Sequence, residues 1–276
     1  MYSKSYAQKL AKASKYALDW IVQVQNDSEM MEAINNSNTD YYSPDFVLPS
    51  EVERRYEKTK VMLVNSAVMY TLHKMSGILE EGDRLCILNF ADYLSAGGRY
   101  TDGYMAQEES LCEMSALWHI LNNDRFRKVF DWRSKNYGYR QDSYHTEDRY
   151  HDDLFYTENC PFMLLRQKPV IKFDVISAAA VNHRRMVTPS LARFDVNREI
   201  MFPRMEKVFR VPAMYGTNIL VLGAWGCGVF KNNPSIIARY WDELIEKYDG
   251  LYQLIIHPVP GGINLEAFKE NIKYGV

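Results

Sequence analysis

"NILVLGAWGCGVFKNNPSIIARYWDELIEK", residues 218–247, is the stretch that decides the fold. It opens on an apolar run, 218–226, with little alternation, as in a strand buried on both faces. Gly223, Gly226 and Gly228 follow. Ile236, Ile237, Tyr240, Trp241, Leu244, Ile245 and Tyr248 then recur at helical spacing. Asn233 stands at the N-cap and Pro234 at the first helical position, where its missing N–H does no harm. The order is strand, glycine turn, helix.

Working outward, three further apolar runs predict strands: "LCILNF" (85–90), "FDVISAAAV" (173–181) and "LYQLIIHPV" (251–259). Helical patterns lie between them. "SAVMYTLHKMSGIL" (66–79) reads as a helix with Ser66 as cap and Gly77 at the exit. The segment after Gln107 carries Leu111, Met114, Leu117 and Leu121 on one face. Strands alternating with helices predict an α/β sandwich around a largely parallel sheet. At the N-terminus, Tyr6, Leu10, Tyr16, Ala17 and Trp20 predict a helix to about Val24, and "INNSNTDYYSPDF" (34–46) has the composition of a loop. These divide the chain into a helical extension, 1–50, and a main body, 51–276. "WRSKNYGYRQDSYHTEDRYHDD" (132–153) lacks helical period and reads as an exposed loop; His145 and His151 within it match no metal-ligand spacing.

Composition narrows the function. The chain has 276 residues, 47% hydrophobic and 25% charged, enough for one large α/β domain with an extension. Lys+Arg 33 against Asp+Glu 35 leaves a charge of -2, so bulk nucleic-acid binding is not expected. No apolar run reaches the roughly 20 residues of a membrane span, and the lysine-studded N-terminus lacks the apolar block of a secretory signal. Cys86, Cys112, Cys160 and Cys227 form no Cys-x-x-Cys pair, which suits reduced thiols and a cytoplasmic location.

Ligands of open α/β sheets bind at the carboxyl ends of strands. Two such ends carry glycine turns here: Gly97 and Gly98 after the first run, and Gly223 to Gly228 after the third. Glycines let backbone N–H groups approach an anion closely, and a nest of them beside a helix N-terminus suits a diphosphate. The dinucleotide fingerprint is absent, since the third glycine is missing and no acidic residue closes the next strand. Phe230, just past the glycines, is placed to stack on a base or cover a ribose, while Trp225 reads as core. Glu108 and Glu109 open the helix after the first glycine turn. Adjacent on a helix, they point about 100° apart, so one can touch a sugar while the other reaches the bond to be broken. Their bland alternative is a solvated first turn at the positive end of the dipole.

"NFADYLSAGG…AQEESL", "LFYTENCPF", "DVISAAAVN", "LVLGAWGCGVFKNNP" and "NLEAF", in that order, resemble the microbial-type poly(ADP-ribose) glycohydrolases, macrodomain relatives marked by a glycine triplet followed by Gln-Glu-Glu. The resemblance spans roughly residues 55 to 272. It implies a macrodomain-like three-layer α/β/α sandwich with a mixed, largely parallel sheet, holding ADP-ribose or poly(ADP-ribose), with ADP-ribosylated proteins as further partners. It implies Glu109 as catalytic acid, Glu108 on the ribose hydroxyls and Gln107 helping to place them. Ala96, Gly97, Gly98 and Asp92 would border the substrate. Gly223, Ala224, Trp225, Gly226, Cys227, Gly228, Val229 and Phe230 would wrap the diphosphate and adenosine. No metal or cofactor is implied. Cleaving a ribose–ribose bond needs a proton on the leaving oxygen, which a carboxyl of raised pKa supplies. The triplet departs from the pattern at Ala96, and Ser95 replaces a usual proline. Ala96 at a positive φ would cost about 1 kcal/mol, or its methyl would intrude on the substrate. The alternatives are a non-catalytic ADP-ribose reader and a hydrolase of mono-ADP-ribosylated protein or nucleic acid.

Overall fold

Strand β3 (Leu85–Phe90) lies at the centre of the sheet and ends at the candidate site. Its side chains alternate: Leu85 and Ile87 pack into one buried cluster, Cys86 and Leu88 into the other. The computed structural model describes residues 4–137, 150–183 and 192–274. Among these, β1 (Asn38–Tyr42), β2 (Lys60–Val64), β3, β4 (Leu154–Phe162), β5 (Ile171–Ala178), β6 (Ile219–Val221) and β7 (Leu254–Pro258) form one sheet in the order β1-β4-β5-β3-β6-β7-β2. The strands from β5 across to β2 pair in parallel, and β4 joins β1 and β5 antiparallel. The sheet is mixed and largely parallel, as expected.

Helices cover both faces. On one side lie α1 (Lys4–Asn26), α2 (Ser28–Asn35), α3 (Val68–Ser76), α4 (Gln107–Cys112), α5 (Leu117–Leu121) and α6 (Asp124–Tyr137), sharing a cluster that includes Trp20, Leu72, Leu111 and Phe155. On the other lie α7 (Ala192–Met214), α8 (Pro234–Lys247) and α9 (Ile263–Asn271), around Phe209, Trp241 and Phe268. This is the three-layer sandwich. In α8 the Asn233 side chain accepts from Ser235 N–H at 2.9 Å, the cap expected there.

Several elements differ from the sequence reading. Asn38–Tyr42, read as loop, forms β1 because β4 supplies its ladder and Thr39 meets Thr157 oxygen to oxygen at 3.0 Å. The sheet therefore draws on both sides of residue 50. Strand β4 went unread because a register shift between Thr157 and Cys160 and a positive φ at Asn159 break its pattern. The helix expected over 107–121 is two short ones: Ser115 bridges to Phe162, and Ala116 N–H donates to Pro161 at 3.0 Å, which stops the coil between α4 and α5. The run 218–226 is strand only over 219–221; beyond it the chain becomes the glycine loop. Ser66 is not the cap of α3, whose N-cap is Ala67, although Gly77 does close it. Residues 132–137 continue α6 rather than forming a loop. His145 and most of that stretch lie outside the described residues.

Candidate active site

The carboxyl end of β3 runs through Ala91 and Asp92 to the turn at Gly97 and Gly98, and the chain returns at α4. Gln107 ties the two together. Its amide oxygen accepts from Phe90 N–H at 2.8 Å, and its amide nitrogen donates to Leu88 C=O at 2.8 Å. Strand β6 ends before it could pair with that part of β3, so a side chain completes the ladder that the neighbouring strand leaves off. Gln107 thereby fixes where α4 begins.

Glu108 and Glu109 are both buried, at 3% and 7% exposure, which removes the solvated-turn reading. Glu108 accepts from Asn89 Nδ2 at 3.1 Å and from Asp92 N–H at 2.7 Å. Glu109 accepts from Arg99 N–H and from Ala106 N–H, both at 3.1 Å. Burial, with Asp92 and Glu109 close by, pushes the Glu108 carboxyl well above the usual carboxylate range. Gly98 is the pivot between them. It has φ +59, and a Cβ there would lie 2.7 Å from Glu109 Oε1 and 2.9 Å from Glu108 Oε2. Two carboxyls thus close on one Cα, and only glycine leaves them room.

The residues around the pair serve its loop. Asp92 accepts from Leu94 N–H at 2.7 Å and Ser95 N–H at 3.0 Å, closing an Asx turn. From α6, buried Arg133 pairs with Asp153 at 2.7 Å and donates to Tyr93 C=O at 3.3 Å. Asn89, fully buried, also donates to Ser177 Oγ at 3.1 Å. Sequence reasoning missed Asn89 and Arg133; the one available signal was an amide inside the apolar run "LCILNF".

The departure at Ala96 carries no backbone strain. Positive φ values fall at Gly97 and Gly98, and Ala96 is not among the residues that adopt one. Its methyl packs on the buried cluster that contains Trp20 and Leu111. Ala96→Gly is therefore expected to leave turnover unchanged and lower stability by about 0.5–1 kcal/mol through unfolded-chain entropy and lost packing. A melting curve beside a rate assay checks this; a faster enzyme would mean that the methyl does reach the substrate.

The second glycine loop lies across the strand ends. Gly226, at φ +73, permits the close approach of Asn232, whose Nδ2 donates to Val181 C=O at 2.8 Å and Gly226 C=O at 3.2 Å. That latch was not legible in the sequence. Trp225 is fully buried and donates to Ala178 C=O at 3.2 Å, a core residue whose surface also borders the cavity. Among the described residues none accepts the backbone N–H of Ala224, Gly226, Gly228, Val229 or Phe230. Cys227 is half-buried, and burial raises its thiol to about 12, which does not suit a nucleophile. Phe230 lies 6.3 Å from the Tyr150 ring, which stacks on Tyr93 at 4.4 Å.

A cavity of about 420 Å³ runs between the start of α4 and the second glycine loop. Phe90, Gln107, Trp225, Gly228, Phe230 and Asn264 are among its walls. Glu108 and Glu109 do not line it; they sit beside it, toward Gly98, with Ala106 and Gln107 forming the shared edge. Among the described residues, no group of three or more His, Cys, Asp or Glu is placed to hold a metal ion. No helix of the described residues is long and apolar enough to cross a membrane.

A buried carboxyl pair thus lies at one strand end, beside a glycine loop at the next, on an α/β/α sandwich. The family model for the microbial-type PARG catalytic domain matches residues 7–164, and the chain belongs to that family. The match includes Gln107, Glu108 and Glu109 and stops short of the 223–230 loop. The fold is similar to that of poly(ADP-ribose) glycohydrolase from Thermomonospora curvata, at 20% identity with TM-score 0.77, covering 95% of this chain and 99% of that one. The same protein bound to the inhibitor ADP-HPD gives TM-score 0.76 at 20% identity over 94% and 99%. The Deinococcus radiodurans poly(ADP-ribose) glycohydrolase in complex with ADP-ribose gives 0.72 at 23% identity, over 88% of this chain and 97% of that one. A comparison with curated proteins gives no match.

Proposed function

We propose that this chain hydrolyses the ribose–ribose O-glycosidic bonds of poly(ADP-ribose) and releases ADP-ribose, with Glu109 as general acid and base. The observation that carries the reading is the pair of buried carboxyls meeting at Gly98, beside a cavity edged by the second glycine loop. The adenosine and diphosphate occupy the cavity. The N–H groups of Ala224, Gly226, Gly228, Val229 and Phe230 face the phosphates, and Phe230 covers the adenosine end. The terminal ribose passes the Gln107 edge to the carboxyls. Glu108 holds its hydroxyls, and burial with Asp92 and Glu109 close by favours its neutral form.

In the reaction the bond from C1″ to the leaving ribose oxygen breaks, and its electrons go to that oxygen. Glu109 supplies the proton that neutralises it, while positive charge develops on the sugar ring. Water then bonds to C1″, and its proton returns to Glu109. The residues provide acid, base and orientation from side chains and backbone. The test is product analysis: the wild-type protein incubated with poly(ADP-ribose) should yield ADP-ribose. Binding of ADP-ribose without any product would instead establish a reader.

A further inference from the structure

The N-terminal helix α1 reaches the acid's loop directly. Gly103, at φ +82, closes the turn after Arg99–Asp102, and a Cβ there would run into Leu10 C=O, lie 2.6 Å from Ser14 N and 3.1 Å from Ala13 Cβ. The backbone of α1 is thus seated on this turn. Ser14 Oγ donates to Thr101 C=O at 2.6 Å. The turn is short and internally bonded: Gly103 N–H donates to Tyr100 C=O at 3.0 Å, and Tyr104 N–H to Arg99 C=O at 3.3 Å. Its two ends supply the N–H groups of Arg99 and Ala106 that hold the two oxygens of Glu109.

The same helix holds the far end of α4. Trp20 Nε1 donates to Ser115 C=O at 3.3 Å. Arg166 stacks 3.8 Å above the Tyr16 ring and reaches Glu113, the residue closing α4, through Glu113 C=O at 3.2 Å and Glu113 Oε1 at 3.3 Å. A six-residue helix has little stability of its own, so the pose of α4 depends on what it is fastened to.

We propose that α1 is a positioning element for the acid: its Leu10–Ser14 turn sets the 99–106 loop whose backbone N–H groups aim the Glu109 carboxyl, with Ser14 and Gly103 as the contact that transmits it. This rests on the reading of Glu109 as the acid. In that reading the adenosine and diphosphate rest in the cavity against the 224–230 loop while the carboxyls lie beside it, so the two functions separate. A small misplacement of a catalytic group costs rate without costing ligand affinity.

The experiment measures kcat and KM on poly(ADP-ribose), and the Kd of ADP-ribose by calorimetry, on the full chain. Ser14→Ala is expected to lower kcat about fivefold and Gly103→Ala about a hundredfold, each with Kd within about twofold of wild type. Ser14→Thr, which keeps the hydroxyl, is expected to restore kcat. Should Gly103→Ala fail to fold, the Ser14→Ala and Ser14→Thr pair decides alone. Unchanged kcat in folded Ser14→Ala, loss of rate that Ser14→Thr does not restore, or a rise in Kd and KM at constant kcat would each overturn the proposal. Full activity in Glu109→Gln would overturn the acid assignment instead, so the two failures are distinguishable.

Discussion

Glu109→Gln is expected to slow ADP-ribose release from poly(ADP-ribose) by about a thousandfold while leaving ADP-ribose affinity within a few-fold. The substitution keeps shape and removes the transferable proton. It also turns an acceptor into a donor on one side. Glu109 accepts from Arg99 N–H and Ala106 N–H, so the new amide nitrogen must face one of those donors. That costs about 1–2 kcal/mol of stability, which a melting curve measures separately. A loss of stability of that size with full turnover would mean that Glu109 only caps the loop. A loss of turnover with ADP-ribose still bound assigns the proton to this side chain.

Gly98→Ala should be nearly as damaging, for a steric reason. The position has φ +59, where a side chain costs about 1–2 kcal/mol. The new methyl would lie 2.7 Å from Glu109 Oε1 and 2.9 Å from Glu108 Oε2, so one carboxyl must move or the turn must open. Neither has slack, because Glu108 is held by Asn89 and Asp92 and Glu109 by Arg99 and Ala106. Turnover is expected to fall by about a hundredfold or more, since displacement of a catalytic group by an ångström costs that much. The neighbouring Ala96→Gly change, which faces the core, should do nothing to rate. If instead both substitutions leave the rate intact, the carboxyls do not act from the positions seen around Gly98.

How much of this was legible in the sequence depends on whether the signal was local. The helix α8 was readable from Asn233 to Lys247 because its cap, proline and apolar face all lie within it. Glu108 and Glu109 stood out because two carboxylates at a strand-to-helix return after glycines have few uses. The pivot role of Gly98 did not, since it exists only where both side chains fold back over it. Gln107 read as a group for the sugar; its amide also bonds β3 through one acceptor and one donor, a role created by the shortness of β6. Asn89 and Asn232 act on residues far along the chain, Ser177 and Val181 among them. Strand β1 is polar and alone would not be a strand; β4 makes it one. The strain weighed at Ala96 is absent for the same reason: which glycine of a triplet needs positive φ is set by the turn, and here it is the second and third positions.

The cavity stops at the Gln107 edge, and the carboxyls lie just beyond it. The most direct test is a crystal structure with ADP-ribose bound. The account predicts the diphosphate on the N–H groups of residues 224–230 and the C1″ hydroxyl within hydrogen-bond reach of the Glu109 carboxyl. A terminal ribose held in the cavity away from Gly98, with Glu109 still engaged only by Arg99 and Ala106, would contradict it.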